Sequence, residues 1–396
     1  LNKSFFDAIP LFVDSFGNFI LLDWNFVYKG TVRDFYPPVE FIPSSNIDFQ
    51  YYAENLGNLT LAEQNDLISK IGKKVQLTDL ANLIDFAFLA LHGPYGEDGR
   101  IQGLLEYIGI PYSGSGILPS SIGIDKSIQK KLMINAGFNS PNYFTIDRAD
   151  WINGKAKNYW QKAKSEIGFP IVIKPANQGS SIGISIINND DELLFMGAVE
   201  KAFFTKWLDC SVWKKLTEKE KIEFVRNLSD IREGIGMPLK ISLKLSGISG
   251  DDVILYNPYD LILFLNNNRN STDGFVLEAL DGECTVIVEQ FIEGKEFSCI
   301  VLEDTDSDGL VIALPPTEIR KGKELFDYRS KYLPGLSRKI TPIEVEDKHI
   351  NSIRVECERL FTELCFDVYA RIDGFLGVDG KVYLNDPNTT SGMMPS

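Results

Sequence analysis

Residues 370–388 read ARIDGFLGVDGKVYLNDPN, and their alternation decides how the rest of the chain is read. Asp379-Gly380 is a favoured two-residue turn between β-rich runs, so the segment is expected to form a hairpin. A two-residue loop pairs Val378 with Lys381, which fixes the register of both strands. Counting outward sets Asp373 opposite Asp386 and Arg371 opposite Asn388, and a period of two puts all four on one face. Two carboxylates directly opposite have Cβ atoms about 5 Å apart and repel, at a cost on the order of 0.2–1 kcal/mol. A divalent cation removes the conflict. Carboxylate and amide oxygens without His or Cys are hard ligands that suit Mg2+ or Mn2+, completed by phosphate oxygens and water. A solvated polar face, with a nearby lysine softening the repulsion, fits the same residues. The hairpin alone leaves both readings open.

A second segment bears on that choice. In FPIVIKPANQGSSIGISII, residues 169–187, an apolar run delivers Lys174 just before a loop ending Gly179-Ser180-Ser181. Glycine allows close backbone approach, and consecutive N–H groups with two hydroxyls can surround phosphate oxygens. A lysine at the strand end adds a point charge. The pattern is not a Walker A loop, which needs GxxxxGK[ST]. By itself an ordinary Gly–Ser turn is the readier account; beside a carboxylate metal site, nucleotide phosphate becomes the better one. Glu289 ends the apolar run VIVEQFI and Glu296 follows in GKEF. Either glutamate could accept hydrogen bonds from an adenine amino group or ribose hydroxyls. A hinge glutamate in solvent is the alternative, and composition does not decide.

Working outward, the 396 residues suffice for two or three domains, and 44% hydrophobic content fits a soluble globular chain. A net charge of −15 excludes nucleic-acid binding by bulk electrostatics. The five cysteines form no CxxC pair, which points to a reducing compartment without a disulfide framework or zinc site. No apolar run reaches membrane-spanning length, and no signal peptide is visible. The chain opens on Leu and stops abruptly at SGMMPS, so residues are expected to be missing at one or both ends.

Residues 5–32 predict two short strands around Ser15–Asn18, and residues 60–73 a helix. The apolar run Ile84–Leu91 predicts a buried parallel strand. It feeds the loop HGPYGEDGR, a helix from Ile101 to Ile108 and a turn-rich exit at 111–116. That rhythm is the open α/β pattern, with ligands beyond strand C-termini. Asp125 is placed to cap a helix reaching Ala136, with Gly137 as its left-handed terminator. Strands are expected at Phe169–Lys174, Ile182–Ile187 and, from 286, in TVIVEQFI and EFSCIVLE. Between about 200 and 275 the signals are sparser: a capping box at Thr217 with Glu220, and a helix start at Asn257-Pro258.

Five segments together resemble the D-alanine–D-alanine ligase family of the ATP-grasp superfamily. They are LHGPYGEDGRIQGLLEYIGIPYSGSGILPSSIGIDKSIQK, IVIKPANQGSSIGIS, VIVEQFIEGKEFS, FDYRSKYLPG, and RIDGFL with LNDPNTTSGM, in that order over residues 84–396. The resemblance implies an ATP-grasp architecture of mixed α/β and α+β type. Its parts would be an N-terminal open α/β substrate domain at 1–123, a central domain at 124–289 and a C-terminal catalytic domain at 290–396. Nucleotide would lie between the last two. It also implies the reaction: the carboxylate of one D-alanine attacks the γ-phosphate of ATP, and the amine of a second attacks the acyl phosphate. Two Mg2+ ions, or Mn2+, would neutralise charge and align the transfer.

Carried over by resemblance, Asp373, Asp386 and Asn388 are the metal ligands. Lys126, Lys174 and Ser181 meet phosphates, and Glu289, Gln290, Ile292 and Glu296 meet adenosine. Arg371 and the Gly392 N–H would stabilise the oxyanion. Ser180 and Tyr332 position substrate and close the loop, Lys331 and Tyr328 face the second substrate, and His92 and Glu97 lie near the first. Family relatives that make depsipeptides often carry Phe at the Tyr332 position, so Tyr implies an amine acceptor. The implied partners are D-alanine and ATP, with no nucleic acid or membrane. A cytoplasmic homodimer serving peptidoglycan precursor synthesis is the implied setting.

Four features depart from the family pattern. Its glycine-rich opening with a substrate-binding Glu is not found before Ala8, and a further serine expected after Ser396 is beyond the chain. Asp386 stands where Glu is usual, one methylene shorter. An insertion of several tens of residues, at about 200–280, is rich in Phe, Trp and Leu and is expected to pack as an added subdomain covering the nucleotide cleft or forming an oligomer contact. Two other readings compete: an ATP-grasp ligase for another amino or hydroxy acid, and a non-catalytic nucleotide-binding relative. The joint presence of Lys174, Arg371, Asp373 and Asn388 argues against the second.

Overall fold

A computed structural model describes residues 4–43, 49–245, 248–249, 252–270, 272–304, 310–321 and 337–390. The chain divides into two compact units, one made of Leu1–Asp85 with Phe204–Gly282, the other of Phe86–Phe203 with Glu283–Ser396. Among the described residues no helix is long and apolar enough to cross a membrane.

In the first unit, strands Leu11–Val13, Phe19–Leu22 and Gly72–Val75 form an antiparallel sheet. The turn between the first two is held by the buried Asp14, which accepts from the Asn18 backbone N–H at 2.8 Å and the Tyr36 hydroxyl at 2.9 Å. The helix expected at 60–73 begins as read, with Thr60 and Glu63 forming a capping box, but it stops at Ser69. The chain then re-enters the sheet at Gly72, where a Cβ would stand 2.1 Å from the Leu21 carbonyl. Only glycine permits that approach.

The insertion belongs to this unit. Its sheet runs Val253–Leu255, Leu239–Leu245, Gly274–Ala279, Thr205–Asp209. Helices Glu218–Ser229 and Pro258–Asn268 start at the expected Thr217–Glu220 capping box and the Asn257 cap. Trp213, Phe275, Leu261 and Leu265 are fully buried in it, so the aromatic content is core, as expected of a packed subdomain. The Asn55 side-chain amide donates to the Tyr256 carbonyl at 2.9 Å, tying the insertion to the N-terminal half of the same unit.

The second unit holds two sheets. One is antiparallel, in the order Tyr143–Asp147, Thr285–Gln290, Ile171–Pro175, Ser185–Ile187. The other runs Ser337–Ile340, Thr317–Lys321, Gly294–Asp304, Tyr369–Gly377, Val382–Asn388, with Leu310–Ala313 added to the Gly294–Asp304 strand. Helix Asp347–Glu363 buries Ile353, Cys357, Leu360 and Phe361 against Phe297, Cys299, Ile372 and Leu384 of that sheet. Asp125 caps helix Lys126–Asn135, accepting from the Ser127 and Ile128 N–H groups, and Gly137 follows at φ +81°.

The buried parallel strand expected at Ile84–Leu91 does not form. Only Ala87 pairs, in a single parallel bridge with Tyr112, while Phe86 and Phe88 are half exposed. An extended run becomes a strand only when a neighbour takes its N–H and C=O groups. Among the described residues that neighbour is one bridge long.

The hairpin pairs Asp373 with Asp386 and Arg371 with Asn388, the register read from the sequence, but by a different route. Near the turn Leu376 faces Val382, and Gly377 and Lys381 flank a three-residue loop, Val378 to Gly380, with Gly380 at φ +76°. That shifts the pairing by one residue. A bulge between Asp373/Gly374 and the facing strand, where Asn385 is the extra residue, shifts it back. The two departures cancel. Without the extra residue Asn385 would face Asp373, and Asp386 would turn into the apolar side occupied by Ile372 and Leu384.

Candidate active site

The site of the second unit is built on three cationic side chains. Lys126 and Lys130 lie one turn apart on helix Lys126–Asn135, so both project from one face. Lys174 sits on the Ile171–Pro175 strand opposite Ile287, which makes it a diagonal neighbour of Glu289 on the same face of the sheet. All three lysines and Glu289 are at most 5% exposed. Glu289 divides its carboxylate between two of them, with Lys174 Nζ at 2.6 Å from Oε1 and Lys130 Nζ at 2.7 Å from Oε2. The residue expected at adenosine is therefore committed to an internal ion pair in this state of the protein.

Two buried ammonium groups on one carboxylate leave a surplus of positive charge. Burial pushes the Lys174 ammonium down to about 8, against the upward pull of Glu289. Burial also pushes the Glu289 carboxyl up, but Lys130 and Lys174 outweigh it and bring it down to about 2. Lys174 is completed by the Asn385 side-chain oxygen at 2.8 Å, so the bulge residue is aimed into the site. Lys126 donates to the Gln178 carbonyl at 2.8 Å and lies 3.2 Å from Asp386 Oδ1. Replacing Asn385 by Ala removes one acceptor from a buried ammonium and is expected to cost about 1.5 kcal/mol in stability, measured by urea unfolding.

The loop after Lys174 is held from behind. Glu283 accepts from the Asn177 N–H at 3.0 Å and its side-chain amide at 3.1 Å. Burial raises the Glu283 carboxyl above the ordinary carboxylate range, opposed by these two bonds. Ser180 and Ser181 then adopt φ of +54° and +61°, a left-handed pair that costs non-glycine residues on the order of 1–3 kcal/mol each and is concentrated at functional sites. A cleft is lined by Lys126, Lys174, Ser181, Glu296, Asp373 and Asp386, with Gln178 and Asn385 beside them.

On the far wall of the cleft, Arg371 donates to Asp373 Oδ2 at 3.1 Å. Asp373 Oδ1 is buried and has no hydrogen-bond donor among the described residues. Asp373 stands opposite Asp386 in the hairpin, with Asn388 two residues on, and two carboxylates with an amide are a hard-ligand set that suits Mg2+ or Mn2+. Asn388 donates its amide N–H to the Asp386 carbonyl at 2.8 Å, which leaves its side-chain oxygen as the available ligand.

At the other end, Glu97 accepts from the Gly93 N–H at 2.6 Å and the Thr390 hydroxyl at 3.0 Å, with His92 Nδ1 at 3.9 Å. Gln290 is exposed at the end of its strand, and Ile292 is half-buried just beyond it. Tyr328, Lys331, Tyr332 and Gly392 lie outside the described residues. Sequence reading missed Lys130, Glu283, Asn177, Asn385 and Thr390. Lys130 was accessible from its spacing to Lys126. Asn385 was not, because strict alternation hides an extra residue, although Pro387 inside the strand hints at irregularity.

Two family models match: the D-ala D-ala ligase N-terminus over residues 1–115 and the D-ala D-ala ligase C-terminus over residues 132–207 and 263–396. The chain belongs to the D-alanine–D-alanine ligase family. A relative named D-alanine–D-alanine ligase, from Desulfotalea psychrophila, is 31% identical over 84% of this chain and 78% of its own length. One of the same name from Bacillus cytotoxicus is 30% identical over 79% of this chain, which spans only 63% of that relative.

The family's fold is also met in solved structures. The VanG D-Ala:D-Ser ligase of Enterococcus faecalis superposes with a TM-score of 0.58 at 20% identity, covering 99% of this chain and 83% of that one. A D-alanine-D-alanine ligase of Coxiella burnetii gives 0.54 at 16%, covering 100% and 79%. At those identities the likeness establishes the ATP-grasp fold alone. The C-terminal family model skips 208–262, most of the insertion that packs in the first unit.

Proposed function

We propose that this chain joins two D-alanine molecules to D-alanyl-D-alanine, using ATP to activate the first as an acyl phosphate. The observation that carries the reading is the buried lysine cluster facing the opposed Asp373 and Asp386 across one cleft. Lys126 and Lys174, with the N–H groups and hydroxyls of Ser180 and Ser181, hold the nucleotide phosphates. Asp373, Asp386 and Asn388 would hold Mg2+, which when bound neutralises phosphate charge and fixes its orientation. Arg371, beside Asp373, faces the charge that develops on the attacked carboxyl, with the Gly392 N–H as second donor. Glu289 and Glu296 border the adenosine, His92 and Glu97 the first D-alanine. By the family resemblance, Ser180 and Tyr332 would position the substrates, and Lys331 and Tyr328 would serve the second. A cytoplasmic homodimer supplying peptidoglycan precursors completes the proposal.

The test is phosphate release with ATP and Mg2+ against a panel of D-alanine, D-serine and D-lactate. The proposal expects release that requires D-alanine and stops with a chelator. Release with D-lactate as the better acceptor, or none with D-alanine, would overturn it.

The position of Lys174 adds a pH prediction. A group whose ammonium form is already weakened by burial loses its proton as pH rises through about 8. The free enzyme's kcat/KM for ATP is therefore expected to fall about tenfold per unit above that point. A guanidinium stays charged throughout this range, so Lys174→Arg should flatten the alkaline limb even if it lowers the plateau.

A further inference from the structure

We propose that Thr390 is a positioning residue that fixes the Glu97 carboxylate for the ammonium group of the first D-alanine. The inference rests on the function proposed above and adds to it a residue that the sequence did not single out.

Glu97 lies in the loop His92–Gly99, which is held by its own backbone bonds and by the two helices that follow it. The Gln102 amide donates to the Gly96 carbonyl at 3.0 Å, and Arg100 reaches Asp98 at 3.1 Å. The Glu97 side chain is 16% exposed, whereas neighbouring His92 is 51% exposed. One carboxylate oxygen, Oε2, is fixed by the Gly93 N–H of the same loop. The other, Oε1, accepts from the Thr390 hydroxyl at 3.0 Å, with His92 Nδ1 of the same loop farther off at 3.9 Å.

Thr390 itself is 1% exposed and stands two residues past Asn388, where strand Val382–Asn388 leaves the sheet. A carboxylate tied at one oxygen can rotate about its terminal bond, whereas one tied at both presents its remaining lone pairs in fixed directions. An ammonium ligand needs those lone pairs fixed. Because Thr390 continues the strand that bears Asp386 and Asn388, the same bond also sets the distance from the ammonium site to the candidate metal ligands.

Removing the hydroxyl should therefore weaken D-alanine selectively. Thr390→Val keeps the shape and loses the donor, while Thr390→Ser keeps the donor. The expected result for Thr390→Val is a KM for D-alanine at the first site raised about tenfold, as for the loss of one charge-assisted bond. Its KM for ATP should stay within about twofold, and Thr390→Ser should return close to the unaltered protein. Should Thr390→Val fail to fold, Thr390→Cys, a similar volume with a weak donor, carries the comparison with Thr390→Ser. Unchanged D-alanine KM, impairment of Thr390→Ser equal to that of Val or Cys, or a parallel rise in ATP KM would each overturn the proposal. Failure of the unaltered protein to release phosphate with D-alanine would instead bring down the proposed function, and this inference with it.

Discussion

Replacing Lys174 by Met should lower ATP-dependent turnover by about a thousandfold, with nucleotide affinity falling alongside. The side chain combines three properties in one buried position: a full charge, a strand that fixes its direction, and a location at the mouth of the Gly179–Ser181 loop. A preorganised cation beside developing phosphoryl charge is worth on the order of 10²–10³ in rate, because it acts where water does not screen it. Met preserves the stem volume, so packing against Ile287 on the same face of the sheet is retained. Glu289 keeps Lys130 at 2.7 Å and is not stranded. The effect should therefore fall on activity far more than on melting temperature. Steady-state phosphate release with a parallel thermal melt separates the two, and a variant retaining more than a tenth of the activity would contradict the role given to Lys174.

Glu289→Leu should have the largest effect on stability. It leaves two buried ammonium groups without their shared partner, a change that costs about 3–5 kcal/mol when a buried pair is broken from one side. For a unit of this size that corresponds to a melting point lower by roughly 10 °C. Glu289 also carries a pH signature. Its carboxyl is held at about 2 in the folded chain, below its ordinary value near 4.5, so its contribution is complete above the ordinary value and is lost as pH falls toward 2. The Leu variant should lose that acid dependence. Adding Lys130→Met to Glu289→Leu should recover part of the loss, since it removes one of the two ammonium groups left uncompensated and keeps the other, Lys174. Chemical unfolding of the single and double variants measures this, and a double variant no better than the single would refute the account.

Much of the site was legible because its parts obey local rules. The Asp125 cap, the Lys174 strand end and the Glu289 strand all follow from side-chain chemistry within a few residues. The facing of Asp373 and Asp386 was also read, though through a turn that is one residue longer than expected and a bulge that compensates. Periodicity counts residues, and it cannot register an extra one whose only signature is a nearby proline. The Ile84–Leu91 run misled for a different reason: hydrophobicity marks what is buried or paired, and pairing depends on a partner elsewhere in the chain. Thr390 and Glu97 are separated by most of the sequence, and nothing local announces their bond. The lysine cluster stands between these cases, since Lys126 and Lys130 share a helical face while their convergence on Glu289 needs the sheet.

The facing carboxylates of the hairpin are expected to hold a divalent ion together with nucleotide phosphates. Electron paramagnetic resonance of Mn2+ titrated into the protein with a non-hydrolysable ATP analogue addresses it directly. Nucleotide-dependent Mn2+ binding is expected in the unaltered chain, reduced at least tenfold in Asp373→Asn and in Asp386→Asn, with the fold intact by circular dichroism. Mn2+ binding of equal strength in all three proteins would contradict it.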